Sequence, residues 1–301
     1  MRTARGALRL ASIARHAAPR VACPSRGLAA AAEQWQPQAY TGGGGTTASG
    51  LTRVGFTLQF ETQELEQYLK DHEAVWPEMQ QALVDCGWHN YSLFYRPDGF
   101  AFGYFETDAD FDTCCARMAE TEVNPRWQDA MSKYTPANVR PDEAAGTMDH
   151  YFYLGTDRVM DAAEVDPSLL PSASWDPPAY TGGGGTTGAG LRRCCFQMKF
   201  EAAELEQYLV DHETVWPEMQ QALVDCGWHN YSLFYRPDGF AVGYFETDAA
   251  SFEEAGARMD GYDVNAVWQE AMSKYTPANT SPIDAAQELT HYFYIGDDRI
   301  M

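Results

Sequence analysis

Val54, Phe56, Leu58 and Phe60 alternate with smaller or polar residues, the period of a strand with one buried face. From residue 61 to about 74 the spacing changes. Leu65, Tyr68, Leu69 and His72 recur at helical intervals, so Tyr68 and His72, four apart, share one face. Pro77 cannot continue that helix but suits the first turn of a new one, which runs to Cys86 and stops at Gly87. Residues 88–95 and 100–106 are rich in aromatics and flank Arg96-Pro97-Asp98-Gly99, which predicts a β-hairpin. Residues 108 to about 120 and 124–134 predict two further helices, and residues 147–154, ending Tyr151-Phe152-Tyr153-Leu154, a last strand. The order β-α-α-β-β-α-α-β predicts an α+β sandwich of the ferredoxin-like kind, with split strand pairs and helices on one face.

The whole pattern then returns 140 residues later. Residues 64–109 and 204–249 differ only at Lys70/Val210, Ala74/Thr214 and Phe102/Val242. An inserted residue near Ala250 shifts the offset to 141, so Trp127 corresponds to Trp268 and Tyr151 to Tyr292. Each copy is long enough for a core, which predicts two ferredoxin-like α+β domains of the dimeric α/β-barrel type in tandem, at 51–154 and 191–301. The linked copies are expected to fold onto each other as a pseudo-dimer within one chain, with further homo-oligomers left open.

Composition adds the flanks. Arg2, Arg5, Arg9, Arg15, Arg20 and Arg26 precede the first acid, Glu33, so residues 1–33 read as an organelle transit peptide, mitochondrion ahead of plastid. The alternative is a basic arm on a cytoplasmic protein. Removing those six from the 21 basic residues leaves 15 against 43 acids, about −28. A body so acidic repels nucleic acid and anionic lipid, and the chain holds no apolar run long enough to span a membrane. Residues 34–50, with Gly42 to Gly45, and residues 155–190, with four prolines and a second glycine run, read as linkers. No Gly-Lys-Ser/Thr follows the glycines, which excludes a phosphate loop. The seven cysteines show no CxxC or Cys/His metal spacing and are expected as packed, reduced thiols.

Six of the seven histidines form equivalent pairs: His72/His212, His89/His229 and His150/His291. The second and third pairs fall in strands among large apolar residues, an ordinary structural setting. His72 ends a helix that breaks at Trp76-Pro77, where a charged imidazole is favoured and a near-neutral pKa suits a general acid. Asp71, His72 and Glu73 point about 100° apart on a helix and cannot converge on one ion, so no metal site is expected. Tyr68, Tyr91 and Trp127 around His72 would pair flat apolar faces with polar tips, which suits the C–H faces and hydroxyls of a pyranose.

These residues carry a resemblance. Tyr68-x-x-x-His72-x-x-Val75-Trp76-Pro77-Glu78-Met79, Gly87-x-x-Asn90-Tyr91-Ser92-Leu93-Phe94 and Val123-Asn124-x-x-Trp127-Gln128-x-x-Met131 together resemble the L-rhamnose mutarotase family, as do their counterparts in the second copy. The resemblance covers residues 51 to about 154 and 191 to about 295. It implies a dimeric α+β barrel that interconverts sugar anomers without a cofactor, with a monosaccharide as its partner. It implies that His72 and His212 are the proton donors, and that Tyr68, Tyr91, Tyr208 and Tyr231 contact substrate. Trp127 and Trp268 match the first of two tryptophans; Gln128 and Gln269 stand where the second would be. Arg126 becomes Val267, so the two pockets are expected to differ. The competing readings are a monooxygenase on the same barrel and an inactive sugar- or metabolite-binding module; fold alone does not separate them.

Overall fold

The computed structural model describes residues 50–154 and 191–295. The predicted transit peptide, nearly all of the first linker, the second linker and residues 296–301 lie outside the described residues. In the first repeat the order is β1 (Thr52–Gln59), α1 (Leu65–Asp71), α2 (Pro77–Asp85), β2 (His89–Tyr95), β3 (Phe100–Thr107), α3 (Phe111–Ala119), α4 (Val123–Met131), α5 (Pro141–Ala144) and β4 (Gly146–Leu154). The second repeats it as β5 (Arg192–Lys199), α6 (Leu205–His212), α7 (Pro217–Asp225), β6 (His229–Tyr235), β7 (Phe240–Thr247), α8 (Phe252–Met259), α9 (Asp263–Ser273), α10 (Pro282–Ala285) and β8 (Gln287–Ile295). The single helix expected over residues 61–74 is broken into α1 between two 3-10 turns, Thr62–Glu64 and His72–Ala74. Pro77 then starts α2 at its first position, where a missing N–H costs nothing.

Within the first repeat the antiparallel order is β4-β1-β3-β2, the ferredoxin-like arrangement predicted. The eight strands close into one barrel, β1-β3-β2-β8-β5-β7-β6-β4. Closure comes from an exchange. β4 pairs with its own β1 only through Gly146–Met148, and then Asp149 to Leu154 run along β6 of the other repeat. β8 does the same, pairing with β5 and then with β2. Every edge strand is thereby covered, which removes an aggregation-prone edge. The chain is thus a pseudo-dimer in one polypeptide, and the core under the first repeat's helices includes Tyr292, Phe293 and Ile295 from β8.

Inside the barrel lies a second cluster, with Phe94, Phe102, Tyr104, Phe234, Val242 and Tyr244 among its members. The Tyr104 and Tyr244 rings stack at 3.8 Å across the pseudo-two-fold. Beside them Asn90 and Asn230 each donate to both Glu106 and Glu246, at 2.7–3.1 Å. Arg53 donates to Asn230, and Arg193 to Asn90. A buried network of this kind is stabilising only when its charges and hydrogen bonds are matched, as they are here between halves.

Four bulges aim side chains, the one at Asn90 and Tyr91 recurring at Asn230 and Tyr231. Asn90 and Tyr91 lie between the pairs His89↔Glu106 and Ser92↔Tyr104, opposite the single residue Phe105, and Asn90 adopts φ 46°. The extra residue sends Asn90 into the barrel and Tyr91 to the helix side. Tyr292 and Tyr151 are the skipped residues in the registers of β8 against β2 and of β4 against β6.

Candidate active sites

Each repeat holds a cavity between its sheet and its helices. The empty space is about 770 Å³ in the first and about 690 Å³ in the second, open solvent at the mouth included. Tyr68, His72, Tyr91 and Trp127, predicted from sequence, all line the first; Tyr208, His212, Tyr231 and Trp268 line the second.

His72 follows the last turn of α1, and its Nδ1 lies 3.1 Å from the Tyr68 carbonyl oxygen. A carbonyl only accepts, so Nδ1 carries the proton and, in the neutral ring, Nε2 is the bare nitrogen. The ring centroid is 4.1 Å from Tyr68, 5.4 Å from Trp127 and 6.1 Å from Phe293. This apolar enclosure lowers the imidazole pKa to about 4, by burial above all; the Tyr68 carbonyl and the Asp71 charge oppose it. The sequence expectation of a charged histidine at a helix end is therefore corrected: desolvation outweighs the helix terminus, and the ring is neutral at pH 7. Asp71 is engaged away from it, accepting from Tyr134 at 2.5 Å and Gln67 at 2.7 Å. Among the described residues no three side chains converge as metal ligands.

Tyr68 stacks on Phe60 at 3.8 Å and shares a 2.8 Å hydrogen bond between hydroxyls with Tyr292, which β8 brings from the other repeat. Burial raises the pKa of the Tyr91 hydroxyl well above the usual value, so it stays protonated. Trp127 stands edge-on to Trp76 at 5.2 Å and closes the wall opposite the sheet. Cys115 also lines the cavity, but burial pushes its thiol up to about 12, which leaves no thiolate nucleophile.

The second cavity reproduces this. His212 Nδ1 is 3.0 Å from the Tyr208 carbonyl and its pKa is lowered to about 4, mainly by burial. The Tyr151 and Tyr208 hydroxyls are 2.8 Å apart, and Trp268 is edge-on to His212 at 5.3 Å. His150 and His291 stand elsewhere, at 5.0 and 4.9 Å from Phe234 and Phe94 in the barrel interior.

Sequence reasoning missed Tyr151, Phe152, Tyr292 and Phe293 as site residues. It read them as an apolar strand, and the missing signal was which repeat each strand would join. It also missed a polar wall from α4 to α5 in the first site, where Gln128, Asn124 and Asp142 are linked by hydrogen bonds.

In each half of an antiparallel α+β barrel, an imidazole held through Nδ1 by a backbone carbonyl and a buried tyrosine hydroxyl line one aromatic-walled cavity. The class is the dimeric α+β barrel, here with both halves in one chain. The chain belongs to the L-rhamnose mutarotase family, whose sequence profile matches residues 53–154 and 193–295. An L-rhamnose mutarotase of Pectobacterium atrosepticum is 28% identical over 105 residues, covering 35% of this chain and 99% of the relative. One from Listeria monocytogenes is 33% identical over 107 residues, again 35% and 99%. A solved L-rhamnose mutarotase from Formosa agariphila is 24% identical, covers 32% of this chain and 90% of its own, and superposes with a TM-score of 0.26. A putative monooxygenase from Lactobacillus acidophilus covers 81% of this chain and 97% of its own at 7% identity, with a TM-score of 0.46. At these scores neither structure bears on the chemistry.

Proposed function

We propose that each cavity is an aldose mutarotase centre, interconverting the α and β anomers of L-rhamnose or a related sugar by opening and reclosing the hemiacetal. The observation that carries this is the state of His72 and His212: neutral, with Nδ1 committed to a backbone carbonyl and Nε2 left as a base. Opening requires a proton removed from the anomeric hydroxyl and one given to the ring oxygen. Nε2 takes the first, C1=O forms and the C1–O5 bond breaks. The Tyr91 or Tyr231 hydroxyl donates to O5 and releases its proton as that bond goes, because the departing alkoxide is more basic than a phenolate. Rotation about C1–C2 offers the other carbonyl face, and the same transfers in reverse close the ring. The Tyr68–Tyr292 and Tyr208–Tyr151 pairs hold the sugar-facing tyrosines in place, and Trp127 and Trp268 give the pyranose a flat apolar surface. The role differs from the proton donor that the resemblance implies: the resting imidazole is the base, and becomes the donor only in the second half of the cycle.

Saturation transfer between the two anomeric proton signals of L-rhamnose tests the reading. Exchange is expected to be faster with protein than in buffer; equal rates would sink it.

A further inference from the structure

The two cavities share their proton-transfer groups but not the wall from α4 to α5. In the first site Gln128 Nε2 donates to Asn124 Oδ1 at 3.0 Å, the Asp142 N–H donates to Gln128 Oε1 at 3.1 Å, and Asn124 Nδ2 donates to Asp142 Oδ2 at 3.3 Å. That leaves Asp142 Oδ1 buried, accepting no hydrogen bond among the described residues. In the second site the same backbone is kept: Gln269 donates to Asn265 at 3.3 Å, and the Ile283 N–H donates to Gln269 at 3.2 Å. With isoleucine in place of the aspartate, the second site has no counterpart of the Asn124–Asp142 hydrogen bond among the described residues. The exposed face of the same helix also differs. Arg126 sits 5.2 Å over Trp76 and 3.6 Å from Glu78 in the first repeat; its counterpart Val267 is 58% exposed.

A buried carboxylate oxygen without a donor wants a hydroxyl beside it and penalises a methyl. An isoleucine lining the cavity reverses both preferences, since a hydroxyl placed on it loses its partner. We propose that the two sites divide their substrates: the first, through Asp142, takes a sugar presenting a hydroxyl to this wall, and the second, through Ile283, takes a deoxy sugar presenting a methyl. The proposal rests on the mutarotase reading of the same cavities, and Asp142 and Ile283 act as specificity residues rather than in proton transfer.

L-rhamnose and L-mannose, which differ only in bearing methyl or hydroxymethyl on C5, are the probes. With His212→Ala only the first site exchanges anomers, and with His72→Ala only the second. The ratio of kcat/KM for L-mannose over L-rhamnose should be about tenfold or more higher in the first than in the second. Asp142→Ile, in the His212→Ala chain, should bring that ratio to the second site's value, whereas Asp142→Asn should move it only in part. Isoleucine is already accommodated on this backbone at position 283, so the variant keeps its fold. Equal ratios in the two single-histidine chains, or a ratio that Asp142→Ile leaves unchanged, would overturn the proposal. Calorimetric titration of the full chain with each sugar separates this failure from that of the parent reading. Two affinity classes that Asp142→Ile merges into one, without anomer exchange above buffer, would remove the mutarotase reading and keep the division of ligands. One class for both sugars, or no binding, would remove the division.

Discussion

Tyr68 and His72 share a face because a helix returns nearly to register every four residues, and that much is readable from spacing alone. The protonation state is not. It depends on Phe293 and Tyr292, which come from the far end of the chain and complete the apolar enclosure around the imidazole. A histidine lowered to about 4 is a base throughout the neutral range and becomes protonated only as the pH falls through that value. Anomer exchange should therefore be flat from neutrality down to about pH 5 and fall about tenfold per unit below pH 4. A profile rising toward acid, with the rate tracking imidazolium, would show instead that the histidine acts first as a donor. The pH–rate profile of kcat/KM makes the distinction.

At the scale of elements, the hairpin of β2 and β3, the proline-started α2 and the helix pair α3–α4 were all legible, because each rests on local signals: alternation, Pro at the first turn, Gly87 as a stop. The bulges at Tyr91, Tyr151 and Tyr292 were not, since a one-residue register shift leaves the hydrophobic pattern almost untouched. Their consequence is testable. In a His212→Ala chain, where only the first site works, Tyr292→Phe should lower exchange several-fold by removing the hydroxyl that the Tyr68 hydroxyl pairs with, and Tyr151→Phe should change nothing. In a His72→Ala chain the pattern should invert. Identical behaviour of the two tyrosines in both backgrounds would contradict completion of each site by the other repeat's strand. A lost hydroxyl pair costs about 1 kcal/mol of stability, so both variants should remain folded.

For the whole molecule, the duplication announced a pseudo-dimer, but the strand exchange could not be read from it. β2 and β6 are identical in sequence, so nothing in either says whether β4 or β8 is its neighbour. Only the closed barrel decides, with Arg53 reaching Asn230 and Arg193 reaching Asn90 across the halves. Burial of imidazoles also sets the acid limit of the fold. His72 and His212 are lowered to about 4, His150 and His291 to about 3, burial being the first cause in each. The unfolded chain binds these protons near 6.5 and the native state does not, so stability is full above 6.5 and declines as the pH falls toward 4 and 3. At about 1.4 kcal/mol per pH unit the decline is at most about 3 kcal/mol for each of His72 and His212 and about 5 kcal/mol for each of His150 and His291. The urea midpoint should drop steadily between pH 6.5 and 4; a constant midpoint across that window would mean that the imidazoles are hydrated in the native protein.

The central claim is that two buried neutral histidines, one in each half of a shared barrel, do the proton transfer. Saturation-transfer exchange of L-rhamnose anomers in the wild type, His72→Ala, His212→Ala and the double variant tests it most directly. The account predicts partial, additive losses in the single variants and a fall of about 10²-fold or more toward the buffer rate in the double variant. A double variant that exchanges anomers as fast as the wild type would contradict it.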